Sequence, residues 1–251
     1  MTLDKMGILL KSQELRKKLG EDEKSPVNIF ALTATIDDLT LVRYPMSESL
    51  SGMCIKSDGV RLIAINSTRT LGRQCFSLAH ELYHLFYDEN PTAICSSSIG
   101  SGSIIEKSAD LFASYFLIPP LSLKTDIEEL LKKKTIRKIS VEDVVFLEQK
   151  YCVSRLAILV RLKDEGSIDE NEAETMRSNV IISARNLGYD TDLYRPSTER
   201  AQYKTYGQLI KLADKALSKG LISNGKYEEI MLQAFRPDIV YGEEIGGESF
   251  D

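Results

Sequence analysis

Residues 76–87 read Phe-Ser-Leu-Ala-His-Glu-Leu-Tyr-His-Leu-Phe-Tyr, and they hold both histidines of a 251-residue chain. Residues four apart on an α-helix share a face, so His80 and His84 can aim their imidazoles at one point. On the same helical wheel Arg73, Ser77 and Tyr87 lie near His80, while Leu71, Cys75, Leu78, Leu82 and Leu85 fall opposite. Such a helix is apolar on one face and carries its chemistry on the other.

Two neutral imidazoles flanked by a carboxylate, here Glu81, are what a zinc-activated water requires. The competing reading is an incidental pair, two histidines that fill a core or sit on a surface. A third ligand decides between them.

Composition narrows the classes. Hydrophobic content of 43% and charged content of 27% describe an ordinary soluble globular protein. No apolar run approaches the roughly 20 residues of a membrane helix, and residues 1–6 lack the pattern of a signal peptide. Cys54, Cys75, Cys95 and Cys152 are scattered, without a Cys-x-x-Cys pair. They read as reduced thiols of a cytoplasmic protein, not as a disulfide frame or a zinc ribbon. A net charge of −5 argues against nucleic acid as the main partner.

Along the chain, residues 3–19 carry leucine and methionine at helical spacing, with Gly20 as a stop. Ser25-Pro26 reads as the cap and first turn of a short helix. Residues 39–44 alternate as a strand ended by Pro45, and two further strands, 52–56 and 60–65, flank an Asp58-Gly59 hairpin turn. The small sheet runs directly into the histidine helix, expected at about 69–87. Residues 88–104 are rich in Asp, Asn, Pro, Gly and Ser and read as a long loop, with Cys95 inside it. A second helix follows from Ile104 to Leu117, ended by Pro119-Pro120. On it Glu106, Asp110 and Ala113 share one face, with Ala109 and Ala113 small enough for close helix packing.

This arrangement resembles the gluzincins, which complete their site with a glutamate on a downstream helix and an aspartate four residues later. Glu106 and Asp110 have that spacing. Asp88 and Glu89 lie too close to the end of the histidine helix to reach round as ligands, and a loop cysteine has no fixed face. Taken alone, Glu106 and Asp110 would be a solvated helix face. More specifically, Arg73-x-x-Phe76-x-Leu78-Ala79-His80-Glu81-x-x-His84, followed by Glu106-x-x-Ala109-Asp110-x-Phe112-Ala113-x-x-Phe116-Leu117-Ile118-Pro119, resembles the ImmA/IrrE family of zinc metallopeptidases. The likeness is dense from about residue 27 to 120 and looser afterwards. Tyr83 departs from it, standing where many relatives carry glycine.

The resemblance implies an α+β fold: a small antiparallel sheet with zincin-type active-site helices in residues 1–120, then an all-helical region in 121–251. It implies one Zn2+ held by His80, His84 and Glu106, with Asp110 orienting a ligand histidine and Glu81 as general base. With no third histidine, the oxyanion donor must be another group; Tyr83, Tyr87, Arg73 and Tyr115 are the candidates. By analogy with zinc peptidases, strand 60–65 is expected to hold an extended substrate by β-addition.

Beyond Pro120, Ser140-Val141-Glu142-Asp143 reads as a capping box, and Ser154 caps a following helix. The pair at about 140–165 resembles a helix-turn-helix. Arg155, Arg161 and the basic run 132–138 could touch phosphates, but an αα-hairpin that packs on the peptidase fits the acidic chain better. One helix is expected from about 166 to 187, then helices near 199–219 and 224–235, then an acidic tail from 242 that frays.

The function these readings imply is a regulatory zinc endopeptidase whose partner is a helix-turn-helix transcriptional repressor. The competing class is a non-proteolytic, zinc-containing regulator that binds a partner protein or DNA.

Overall fold

The computed structural model describes residues 3–57, 59–90, 92–96 and 102–242. The turn residue Asp58, most of the serine-rich stretch around 97–101 and the tail 243–251 lie outside them.

Helix α1 (Lys5–Lys18) opens on an Asp4 cap, whose carboxylate accepts from the Gly7 amide at 2.9 Å. Its inner face buries Ile8 and Leu15. Arg16 is buried too, and its guanidinium donates to the carbonyls of Asp22 (2.7 Å), Phe116 (2.5 Å) and Ser25. One cation thereby ties the 21–25 connector to the end of the helix that bears Glu106. Helix α2 (Ile29–Ala34) starts later than the Ser25-Pro26 signal suggests. Asn28 caps it instead, because Ser25 is already engaged by the Asp22 carboxylate.

Strands β1 (Leu39–Tyr44), β2 (Leu50–Ser57) and β3 (Val60–Asn66) follow, then α3 (Leu71–Tyr87), β4 (Thr92–Ser96) and α4 (Ile104–Leu117). The sheet order is β4-β2-β3-β1-β5. The β2–β3 hairpin is antiparallel, as expected, and β1 runs parallel to β3. Strand β3 is therefore interior, with β2 on one side and β1 on the other, so residues 60–65 offer no free edge for β-addition. At its end Asn66 is fully buried, accepting from the Met46 amide and donating to the carbonyls of Ser47 and Leu50. That knot fixes where the chain leaves the sheet and enters α3.

Behind α4 come α5 (Pro120–Lys132), α6 (Val141–Tyr151) and α7 (Arg155–Asp164). The α6–α7 pair has the capping box and the tight turn read from the sequence, with Cys152 in the left-handed region at φ 52°. Gly72 of α3 abuts this turn: a Cβ there would stand 2.8 Å from the Ser154 amide nitrogen. The hairpin thus packs on the start of the histidine helix. Arg155 is buried, paired with Glu148, and Arg161 is buried beside Glu165 and the Tyr115 ring. Neither guanidinium is presented to a phosphate backbone.

The single helix expected over 166–187 is two, α8 (Glu170–Met176) and α9 (Val180–Asn186). Between them Asn179 turns left-handed (φ 56°), and Arg155 takes the freed carbonyls of Met176 (3.0 Å) and Ser178 (3.3 Å). The expected 199–219 helix is also broken. It resolves into α10 (Glu199–Gln202), strand β5 (Lys204–Gly207) and α11 (Gln208–Ser218), followed by α12 (Asn224–Gln233) and α13 (Pro237–Tyr241). Strand β5 pairs antiparallel with β1, so the C-terminal region is not all-helical but adds an edge to the sheet. The α+β class stands with that addition. One continuous core runs from Ile8 to Met176, and a small satellite gathers Val145, Ala184, Leu193 and Tyr194.

Candidate metal centre

The site is built where α3 lies between the sheet and α4. Leu78 and Leu82 are fully buried in the core, which turns His80 and His84 toward α4. Ala109 and Ala113, both fully buried, let α4 come close enough for its carboxylates to reach α3. The result is a convergence of donors. The two histidine Nε2 atoms are 3.2 Å apart. Glu106 brings one oxygen to 3.3 Å from His80 Nε2 and the other to 3.5 Å from His84 Nε2.

Each imidazole is held from behind. His80 Nδ1 lies 2.9 Å from Asp110 Oδ1, and His84 Nδ1 lies 2.8 Å from Asp88 Oδ2. A carboxylate at Nδ1 keeps that nitrogen protonated and leaves the Nε2 lone pair facing the centre. Sequence reasoning weighed Asp88 only as a direct ligand and so missed this role. The readable signal was its position, four residues after His84, one turn further along the same face. Lys56 completes the end of α3, donating to the carbonyls of His84 (2.8 Å) and Asp88. A cation there suits the negative end of the helix dipole.

Cys95 overturns a second expectation. It lies on strand β4, not in a loop, opposite Gly52 of β2, and is fully buried. One ligand atom from each of His80, His84, Cys95 and Glu106 falls within 4.8 Å of the others, a group that could hold a metal ion.

Burial and charge set the protonation of these groups. Burial opposes a charge on His80, but hydrogen bonds to Asp110 and Glu106 outweigh it and raise its pKa to about 9. For His84 burial prevails and the pKa falls. The hydrogen bond from His80 holds Glu106 below the usual carboxylate range. Glu81 is fully buried, and burial pushes its pKa up to about 7. Its hydrogen-bonding neighbour is the Cys95 thiol, and its oxygens meet no other partner among the described residues. A buried carboxylate with so little hydrogen bonding is costly. Gly52 makes room for it: a Cβ there would lie 2.8 Å from Glu81 Oε1.

The four candidate oxyanion donors separate in space. Arg73 lines a narrow cleft together with His80, Asp110, Ser51 and Ser77. Tyr83 is buried among Phe112, Tyr87 and the Lys11 ammonium. Tyr87 spends its hydroxyl on the Lys11 carbonyl at 2.8 Å. Tyr115 packs under Arg161 and lines a groove with Leu9, Gln13 and Leu121, on the α1–α5 side.

A mixed sheet crossed by a helix that carries two histidines, closed by a second helix carrying Glu106 and Asp110, defines a domain whose buried donors could hold a metal ion. A model of the IrrE N-terminal-like domain, a peptidase family, matches residues 23–163, more than half of the chain. The chain belongs to that family. No curated protein sequence matches it.

Proposed function

We propose that this protein is a zinc-dependent endopeptidase of the cytoplasm that cuts a partner protein, with a helix-turn-helix transcriptional repressor as the substrate. The observation that carries the reading is the convergence of His80, His84 and Glu106, with both Nδ1 atoms anchored by carboxylates. Nitrogen and oxygen donors in this number suit zinc, and three protein ligands are the pattern of catalytic sites. When bound, zinc supplies Lewis-acid chemistry, acidifying water and polarising a peptide carbonyl.

The protein's own residues do the rest. Asp110 and Asp88 fix the imidazole tautomers, so that His80 and His84 present unprotonated Nε2 atoms. Glu81 is the general base. With its pKa lifted by burial to about 7, it can take a proton near neutrality and return it to the leaving amine. Arg73 is the best-placed donor for the developing oxyanion, being the one candidate that shares a cleft with His80. The α6–α7 hairpin serves as a support for α3, not as a DNA reader, in keeping with its buried arginines.

The test uses the zinc-loaded protein and a repressor encoded beside it. Glu81→Gln should retain the metal and lose cleavage, because only the proton acceptor is removed. Undiminished cutting by that variant would overturn the mechanism. Full biological function in Glu81→Gln combined with its loss in His80→Ala would identify a non-proteolytic metal-dependent regulator instead.

A further inference from the structure

We infer that Cys95 is a fourth ligand of the metal, and that strand β4 is a strap holding the site in a closed resting form. This rests on the reading of His80, His84 and Glu106 as metal ligands. Cys95 falls inside the same 4.8 Å group as those three residues. It is placed there by backbone pairing: β4 runs antiparallel to β2 along the sheet edge, with Cys95 opposite Gly52. Ser51 reinforces the register, its hydroxyl donating to the Ser96 carbonyl at 2.9 Å. Gly52 lacks a side chain where Glu81 comes in, and the Cys95 thiol hydrogen-bonds the Glu81 carboxylate, so the three stand together.

The site is closed as it stands. His80 is 7% exposed, His84 1% and Cys95 0%. In this proposal a substrate displaces β4 to reach the buried His80 and His84. An edge strand is the element that can leave most cheaply, since it gives up hydrogen bonds on one side only. Ligation by Cys95 forms a sulfur–metal bond and breaks the thiol S–H bond, with the proton released to solvent. The resting form therefore blocks the open coordination position.

Cobalt substitution of the full-length chain tests this without relying on activity. The Co2+ protein is expected to show a thiolate-to-cobalt charge-transfer band in the near ultraviolet. Cys95→Ser and Cys95→Ala should each lose that band, keep the visible cobalt bands, and bind cobalt more weakly by at least roughly tenfold. A peptide hydroxamate should abolish the band in the unaltered protein by taking the sulfur's place. Visible cobalt bands with no charge-transfer band, or a band that survives either substitution or the hydroxamate, would overturn the assignment of Cys95 and leave the three-ligand site intact. Absence of cobalt binding altogether would overturn both.

Discussion

Gly52 on β2 and Glu81 on α3 fit together because one has no side chain: a methyl on Gly52 would stand 2.8 Å from Glu81 Oε1 and 3.0 Å from the Ala64 carbonyl oxygen. The carboxylate could give way, but the backbone carbonyl between paired strands cannot. Gly52→Ala should therefore push Glu81 out of line while leaving His80, His84 and Glu106 in place. The expected outcome is a large fall in kcat with metal stoichiometry unchanged, and a stability loss of about 1–3 kcal/mol. Metal analysis, a thermal melt and turnover on one sample would check it. Loss of the metal along with activity would refute the division of labour.

The protonation of the metal-free site gives a pH prediction whose sign is fixed. His80 is raised from 6.5 to about 9, so its contribution to stability is full below the unfolded value and is lost as pH rises through about 9. Glu81 is raised from 4.5 to about 7, so its contribution is likewise lost as pH rises through about 7. Both act in the same direction. Below about pH 6.5 the lowered His84 works the other way, so chelator-treated protein should melt at progressively lower temperature from about pH 6.5 to pH 9.5, and Glu81→Gln should flatten the lower part of that slope. At pH 7 metal binding must also expel the proton on His80. Calorimetry in two buffers of different ionisation enthalpy should detect that release.

Two carboxylates behind the imidazoles are expected to matter alike, although only one was readable beforehand. Asp110→Asn and Asp88→Asn should each weaken metal binding by about 10- to 100-fold, measured by competition with a chelator. An asparagine that left affinity unchanged would show that the aspartate only decorates the end of the helix.

What could be read ahead of the structure was whatever repeats along one helix. His80, Glu81 and His84 sit within a single helical turn and a half, so their spacing showed a shared face; Glu106 and Asp110 share a face of α4, and it was the resemblance to the gluzincins that joined them to the histidines. Cys95 and Gly52 owe their roles to β4 pairing with β2, a contact between distant segments that no local period announces. The same holds for β5. Its Lys-Thr-Tyr-Gly run lies inside a helical pattern, and pairing with β1 overrides the local preference. Arg155 and Arg161 had to be weighed as phosphate contacts because charge is visible in sequence and burial is not.

The most severe stability prediction lies away from the metal. Glu148 is fully buried, accepts from the Arg155 guanidinium, and also accepts from the Tyr194 hydroxyl at 2.7 Å. Arg155 in turn holds the Met176 carbonyl and the Ser183 hydroxyl, joining α6, α7, α8 and α9 around one ion pair. Removing one partner strands the other charge without solvent, and breaking such a pair costs about 3–5 kcal/mol. Arg155→Met should therefore lower the melting temperature sharply, yet below that temperature the metal affinity should stay at the unaltered value, because none of these residues touches the His80 site. Replacing both, as Glu148→Met with Arg155→Met, should recover part of the loss, since two apolar groups leave no uncompensated charge. A double variant less stable than the sum of the two single variants would show that the network, and not the stranded charge, sets the cost.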